Sequence, residues 1–115
     1  MSNITRLRIR VKEVNPRILH KALELMAEHY DLELRQVSET SFTLKGAGLP
    51  SGINLSVAGN AVEIAGSQYQ PLYQTIRSQV NQYYIAAQNL IALRAMGYAS
   101  KVEKQGQKLV ITAVR

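Results

Sequence analysis

From Arg6 to Lys12 apolar and cationic residues alternate, with Leu7, Ile9 and Val11 set between Arg6, Arg8, Arg10 and Lys12. A period of two over a full strand length predicts a β-strand with one apolar face and one wholly cationic face. Asn15-Pro16 then changes the period. Asn is a favoured N-cap, and Pro is tolerated at the first helical position because its missing N–H would have no partner there. A helix is expected from this point, with Ile18, Leu19, Ala22, Leu23, Leu25 and Met26 as its buried stripe. Leu32 and Leu34 followed by Phe42 and Leu44, around Ser38 to Ser41, read as a hairpin. Ile53, Leu55 and Val57 followed by Val62 and Ile64, around Gly59-Asn60, read as a second one.

A long helix is expected from near Gln70-Pro71 to Met96, stopped by Gly97, with Leu72, Ile76, Val80, Tyr83, Ala87, Leu90 and Leu93 inward. It either lies across the whole sheet or lends its free end to another subunit. A last hairpin runs from Val102 through a turn at Lys104 to Gln107 and into Leu109 to Val114. Leu109, Val110, Ile111, Ala113 and Val114 are apolar on both faces, so this strand is expected to be central in the sheet or covered by a partner.

The order strand, helix ending near a Tyr, then strand pair occurs twice. Setting His29-Tyr30 on Gly97-Tyr98 aligns Leu23 with Ile91, Leu25 with Leu93 and Leu34 with Val102. The expectation is a single α+β domain over residues 1–115, internally duplicated with halves at about 4–45 and 53–115, and with both helices on one face of an antiparallel-rich sheet. At the level of topology this resembles ferredoxin-like and TATA-binding-protein-like arrangements. A chain of 115 residues buries roughly 65% of its unfolded surface, enough for a core without staples.

Composition removes several chemistries. With no Cys there is no thiolate nucleophile, redox pair or sulfur-ligated metal, and a reducing cytoplasm is the default compartment. No run approaches the ~18 apolar residues of a membrane span and the N-terminus lacks a signal peptide's apolar core, so a soluble, unprocessed chain with no membrane partner is expected. His20 and Glu24 share one helical face, but no further ligand completes a metal site there. Gly46, Gly48 and Gly52 form a flexible connection rather than a phosphate loop, because a strand and not a helix follows. The acidic residues are scattered rather than paired, so no catalytic residue, cofactor or small-molecule substrate is expected and the chain reads as a non-enzyme.

Charge adds more once it is placed on this map. If the aliphatic alternates face the helices, the opposite sheet face collects Arg6, Arg8, Arg10, Lys12, Arg35, Lys45, Lys101 and Lys108 against Glu33, Glu63 and Glu103. Eight minus three gives +5 of the net +6. Alternate strand residues sit about 6.6 Å apart, so neighbouring cations repel by only about 0.6 kcal/mol in bulk water. Such a row persists with or without a function. Three readings stay open: a solvated face whose charged edge discourages strand addition, a surface for an acidic protein, and a surface for nucleic-acid phosphates. Base stacking has little support, since the one Phe, Phe42, belongs to the inward set.

Tyr69, Tyr73, Tyr83 and Tyr84 crowd the start and middle of the second helix. With Tyr83 inward, Tyr73 and Tyr84 are expected at the flank or outside, where with Arg77 they are interface candidates or else cover the sheet edge. Gln74, Gln79, Gln82, Gln88, Asn81 and Asn89 give this helix a neutral polar face, more compatible with burial against another polypeptide than a Glu/Lys-rich one. The leading expectation is a non-enzymatic protein-interaction module or complex subunit, self-associating or docking a protein through its basic sheet face and this Tyr-rich second helix. The alternative is a nucleic-acid backbone binder without base specificity.

Tyr84, Leu90, Leu93, Arg94, Gly97-Tyr98, Val102, the Gly106 turn and the closing run from Leu109 to Arg115 resemble the tail of the family called hypothetical chloroplast frame thirty-five, of cyanobacteria and plastids with relatives in other bacteria. The resemblance covers about 30 residues, with a weaker echo in Met1-Ser2 and the early helix. The family tends to carry His-Phe after the opening Met-Ser, where this chain has Asn3-Ile4, and a Trp-bearing strand before the last helix, where Asn60 to Ala65 has none. What it implies is a helix followed by a hairpin, and a small protein without an assigned activity, working beside partners such as an AAA-type ATPase. It carries over no catalytic residue.

Overall fold

A computed structural model describes residues 2–9 and 13–115. Seven strands and two helices follow in the order β1 (Ser2–Arg8), α1 (Pro16–Tyr30), β2 (Glu33–Ser38), β3 (Ser41–Gly46), β4 (Leu49–Ala58), β5 (Ala61–Ser67), α2 (Tyr73–Ala95), β6 (Ala99–Gln105) and β7 (Lys108–Val114). β1 to β5 form one antiparallel sheet in the order β1-β5-β4-β3-β2, and β6 and β7 pair separately. The α+β class expected from the pattern is the class observed.

Local chemistry sets the element ends. Asn15 caps α1, its Oδ1 accepting from the Arg17 N–H at 2.9 Å, with Pro16 at the first helical position. At the end of α2, Gly97 takes φ 89° and lets the Tyr98 N–H reach back to the Leu93 carbonyl at 3.0 Å. Gln70, buried before α2, accepts from the Ser51 N–H and donates from Nε2 to the Gly52 and Ser67 carbonyls, so the helix entry is locked to β4 and β5.

Alternation decides which face of the five-stranded sheet is covered. Phe42 and Leu44 of β3, Ile53 and Leu55 of β4 and Val62 and Ile64 of β5 are fully buried, and they meet Leu19, Leu23 and Met26 of α1 with Ile76, Val80 and Tyr83 of α2. Full burial of each such side chain contributes about 1.5–3 kcal/mol relative to exposure. Both helices therefore occupy one face. Helix-to-helix ties reinforce this layer, because the Tyr84 hydroxyl on α2 accepts the Asn15 N–H at the start of α1 at 2.9 Å.

Four expectations are corrected. The apolar β7 is not central in the main sheet: it pairs only with β6, and Val102, Leu109 and Ile111 pack on α2 instead. The segment from Gly46 to Gly52 is no flexible connection, since Gly46 faces Leu49 in a tight turn and β4 begins at once, with a register shift after Leu44. The opening strand ends at Arg8, earlier than the Arg6 to Lys12 alternation suggested, and Arg10, Val11 and Lys12 lie outside the described residues. Tyr73 and Tyr84 are not at the flank: each is 1% exposed. The two spans expected as repeats are built differently: 4–45 holds β1-α1-β2-β3 with its hairpin inside the main sheet, whereas 53–115 opens with β4 and β5 before α2 and ends in a hairpin apart from that sheet.

The Tyr84 tie is testable. Tyr84→Phe keeps the packed ring and removes the acceptor, so it should lower the unfolding free energy by about 1 kcal/mol, whereas Tyr84→Ala should cost about 3–5 kcal/mol through the cavity it leaves. Urea unfolding of the three proteins checks both values, and a Phe variant as damaged as the Ala variant would show that the hydroxyl matters more than this.

Candidate interaction surfaces

Among the described residues, the uncovered face of the main sheet carries fewer unopposed cations than the sequence map suggested. Arg6 and Arg8 are exposed there, but in register Arg6 sits opposite Glu63 and Lys45 opposite Glu33. Arg35, on the same face, has its guanidinium 3.6 Å from the Glu33 carboxylate. Between these edges the face is lined by Ala65, Asn54, Ser56 and Thr43, small and neutral. Among the described residues that leaves Arg6, Arg8, Arg35 and Lys45 against Glu33 and Glu63, four minus two, or +2. Lys101 and Lys108, expected on this platform, lie on the detached β6-β7 hairpin. Lys101 is held 2.8 Å from Glu103, a pairing that raises the Lys101 pKa and lowers that of Glu103.

The Tyr residues of α2 serve the interior. Tyr83 and Tyr84 are both inward because α2 is covered by the sheet on one side and by α1 on the next, so a buried arc wide enough for adjacent residues exists. Of the three interface candidates on α2, only Arg77 is exposed, and its guanidinium donates to Gln74 on the same helix. Tyr69, before the helix, is the exposed one.

A polar chain crosses the α1/α2 seam. The Tyr83 hydroxyl lies 2.8 Å from His29 Nδ1, and the Tyr30 hydroxyl donates to Gln79 Oε1 at 2.5 Å. Burial pushes the Tyr83 phenol well above its ordinary value of 10.0, and the neighbouring Tyr30 pushes it in the same direction. Burial also raises the Tyr30 phenol, opposed by its hydrogen bonds to Gln79 and Tyr83. Lys104 lies over the Tyr30 ring, 5.2 Å from its centroid, and so fixes the β6-β7 hairpin over this end of the seam. Beside it runs an open groove of about 780 Å³ whose charged lining mixes Lys21, Arg94, Lys101 and Lys104 with Glu28 and Glu103. His20 and Glu24 are 3.5 Å apart, with the His20 ring stacked on Phe42, and among the described residues no three His, Asp or Glu side chains gather as a metal site.

Exposed apolar side chains include Ile4 of β1 and Val37 of β2 on the edge strands of the main sheet, and others on α2 and β7. Ile85 and Ile91 on α2 are each 41% exposed, Met96 just beyond it 59%, and Val114 at the end of β7 62%. Ile85, Ala92 and Met96 recur at helical spacing on one outward stripe, with Gln88 and Asn89 between them. Gln88 and Asn89 belong to the neutral face expected from the sequence; Ile85, Ala92 and Met96 are added to it by the structure, and the absence of charge between Arg77 and Arg94 marks the whole stripe. Among the described residues no helix is long and apolar enough to cross a membrane. No protein-family model, curated protein or solved structure matches the chain.

The seam sets a pH dependence. A phenol whose folded pKa is raised keeps its proton in the fold and loses it more readily in the unfolded chain, so its stabilisation is whole below pH 10.0 and is lost as pH rises beyond that. Denaturant unfolding should show an alkaline decline starting near pH 10, and the Tyr83→Phe variant should show a shallower one. Equal declines in the two proteins would refute this assignment.

Proposed function

We propose that the chain is a non-enzymatic protein-interaction module, a subunit that docks a protein through the outward face of α2. The observation that carries this reading is the helix surface itself. From Ser78 to Leu93 no residue is charged, and the exposed side chains on that stretch include Ile85, Gln88, Asn89, Ile91 and Ala92. An exposed surface helix ordinarily presents Glu, Lys and Arg on its water-facing side. A neutral stripe of Ile, Ala, Met and amides gives up little solvation when covered, which is the composition of an interface centre and not of its rim.

The same charge map supports a protein over a nucleic acid as the partner. A phosphate-tracking surface needs a run of cations free to replace counterions. The described sheet face has four cations, of which Arg6 and Lys45 stand opposite carboxylates in register and Arg35 lies against Glu33.

Tagged protein recovered from its source cells, with and without the double change Ile85→Lys and Met96→Lys, tests the reading. The unchanged chain should retain discrete protein partners that survive high salt, because apolar contacts are not screened, and the double variant should lose them while keeping its fold by circular dichroism. In parallel, a fluorescent oligonucleotide should show no binding whose log affinity falls against log salt with a slope near −3 to −4, the mark of about four phosphate contacts. Retention of partners by the double variant, or such a slope, would overturn the proposal.

A further inference from the structure

Four strands have an unpaired edge among the described residues: β1 and β2 in the main sheet, and β6 and β7 in the hairpin. Three of them are obstructed. β1 carries Arg6 and Arg8, and β2 carries Glu33 and Arg35 and is broken by a register shift between Gln36 and Ser38. β6 carries Lys101, Glu103 and Lys104, and its Ser100 carbonyl already accepts from the Arg94 guanidinium at 3.0 Å. Charges and bulges of this kind are how natural sheets keep other strands away. β7 has none of them. Its one charge is Lys108 at the start, and the next six residues, Leu109 to Val114, are uncharged and mostly β-formers.

Turn geometry fixes which backbone groups this edge presents. Gln105 faces Lys108 across a two-residue turn, with Gly106 at φ 62° in its first position. The pair flanking such a turn is hydrogen-bonded, and bonded and non-bonded pairs then alternate. Leu109, Ile111 and Ala113 consequently turn their N–H and C=O groups away from β6, and among the described residues no backbone partner meets them. Packing on α2 supports this ribbon from one face, while its outer edge stays unpaired among the described residues.

We propose that a second copy of this chain adds at this edge, β7 antiparallel to β7, giving a four-stranded β6-β7-β7-β6 sheet about a two-fold axis through Ile111. In that register Ile111 faces its own counterpart, Leu109 faces Ala113, and Val110 faces Thr112. The outward groups of Leu109, Ile111 and Ala113 on the two chains form about six inter-chain hydrogen bonds. Lys108 meets Val114, so the two Lys108 cations stay at opposite ends of the seam, each beside the other copy's Arg115. Because Leu109 and Ile111 lie on the side packed against α2, pairing joins the apolar undersides of the two hairpins into one layer above two α2 helices. An isologous contact of this kind closes on itself and leaves no further β7 edge. The inference rests on the interaction reading in naming one partner, yet it uses a surface separate from the Ile85 and Met96 stripe, so either can fail alone.

Light scattering, with cysteines placed in this Cys-free chain, tests it. The unchanged protein should have twice the 12.8 kDa chain mass at both low and high salt, since main-chain bonds and aliphatic contacts hold the pair. Ala113→Pro removes one outward N–H at an exposed position and should return the mass to that of a single chain. For the register, an equimolar mixture of Val110→Cys and Thr112→Cys proteins should oxidise to a covalent dimer. Non-bonded antiparallel partners lie about 4.5 Å apart between Cα atoms, within disulfide reach. Either variant alone should cross-link far less. A single-chain mass for the unchanged protein overturns the proposal, and so does a dimer whose mixed cysteine variants fail to cross-link, whatever Ala113→Pro does to folding.

Discussion

The constraint on which the rest of this structure depends is the pairing of the first strand with the fifth. β1 enters the sheet beside β5 and not beside its own hairpin, with Leu7 opposite Val62 and Arg6 opposite Glu63. Main-chain bonds from Ile9 to the Asn60 carbonyl and from Val14 to the Gly59 carbonyl, at 2.9 and 2.8 Å, continue the attachment past the strand's end. Because β1 leads into α1 and β5 into α2, this adjacency puts the two helix entries on one side of the sheet. α1 must then cross to the opposite edge to reach β2, while α2 follows alongside it. The helical layer, the buried face and the bare face all follow from that placement.

With the main sheet's covered face filled by two helices, α2 meets the sheet, α1 and the β6-β7 hairpin on successive sides. That explains why so many of its Tyr rings are interior. A Tyr offers large buried area with a hydroxyl that must find a partner, and here the hydroxyls bind α1: Tyr84 at its first turn, Tyr83 at its last through His29. The side turned from all these partners is left with Ile85, Ala92 and Met96. The buried Tyr residues and the exposed Ile85, Ala92 and Met96 are thus different residues of α2 and its C-terminal end, and the Tyr-rich composition belongs to the interior.

What was legible in the chain was whatever is decided within a few residues. Asn15-Pro16 announced the start of α1, Gly97 the end of α2, and the turns at Gly59-Asn60 and Gly106 their hairpins, because each is a local demand for a cap or for a backbone conformation. The inward sets of β3, β4 and β5 followed from alternation alone. The partner of a strand, by contrast, is a long-range decision. The LVITAV run of β7 has the composition of a central strand, and it sits in a two-stranded sheet because α2 delivers it beyond the main sheet's reach. Among the described residues the expected cationic platform is thinned for the same reason. Lys101 and Lys108 followed their hairpin away from the sheet, and register brought Glu63 to Arg6 and Glu33 to Lys45.

That thinning bears on how the function is read. A basic surface draws partners by long-range attraction, which salt removes and which distinguishes poorly among anions. The surfaces proposed above for association would work at short range: a neutral helix stripe that excludes water on contact, and a strand edge that demands matching backbone groups. A net charge of +6 raises encounter rates with acidic surfaces in general, whereas shape and backbone register are what discriminate among them. On this chain the cations around Arg6, Arg8 and Arg35 serve a further purpose, since charge on β1 and β2 makes both edges of the main sheet poor templates for strand addition. The association proposed above would then use the edge with the least charge, β7, whose one cation is Lys108 at its start.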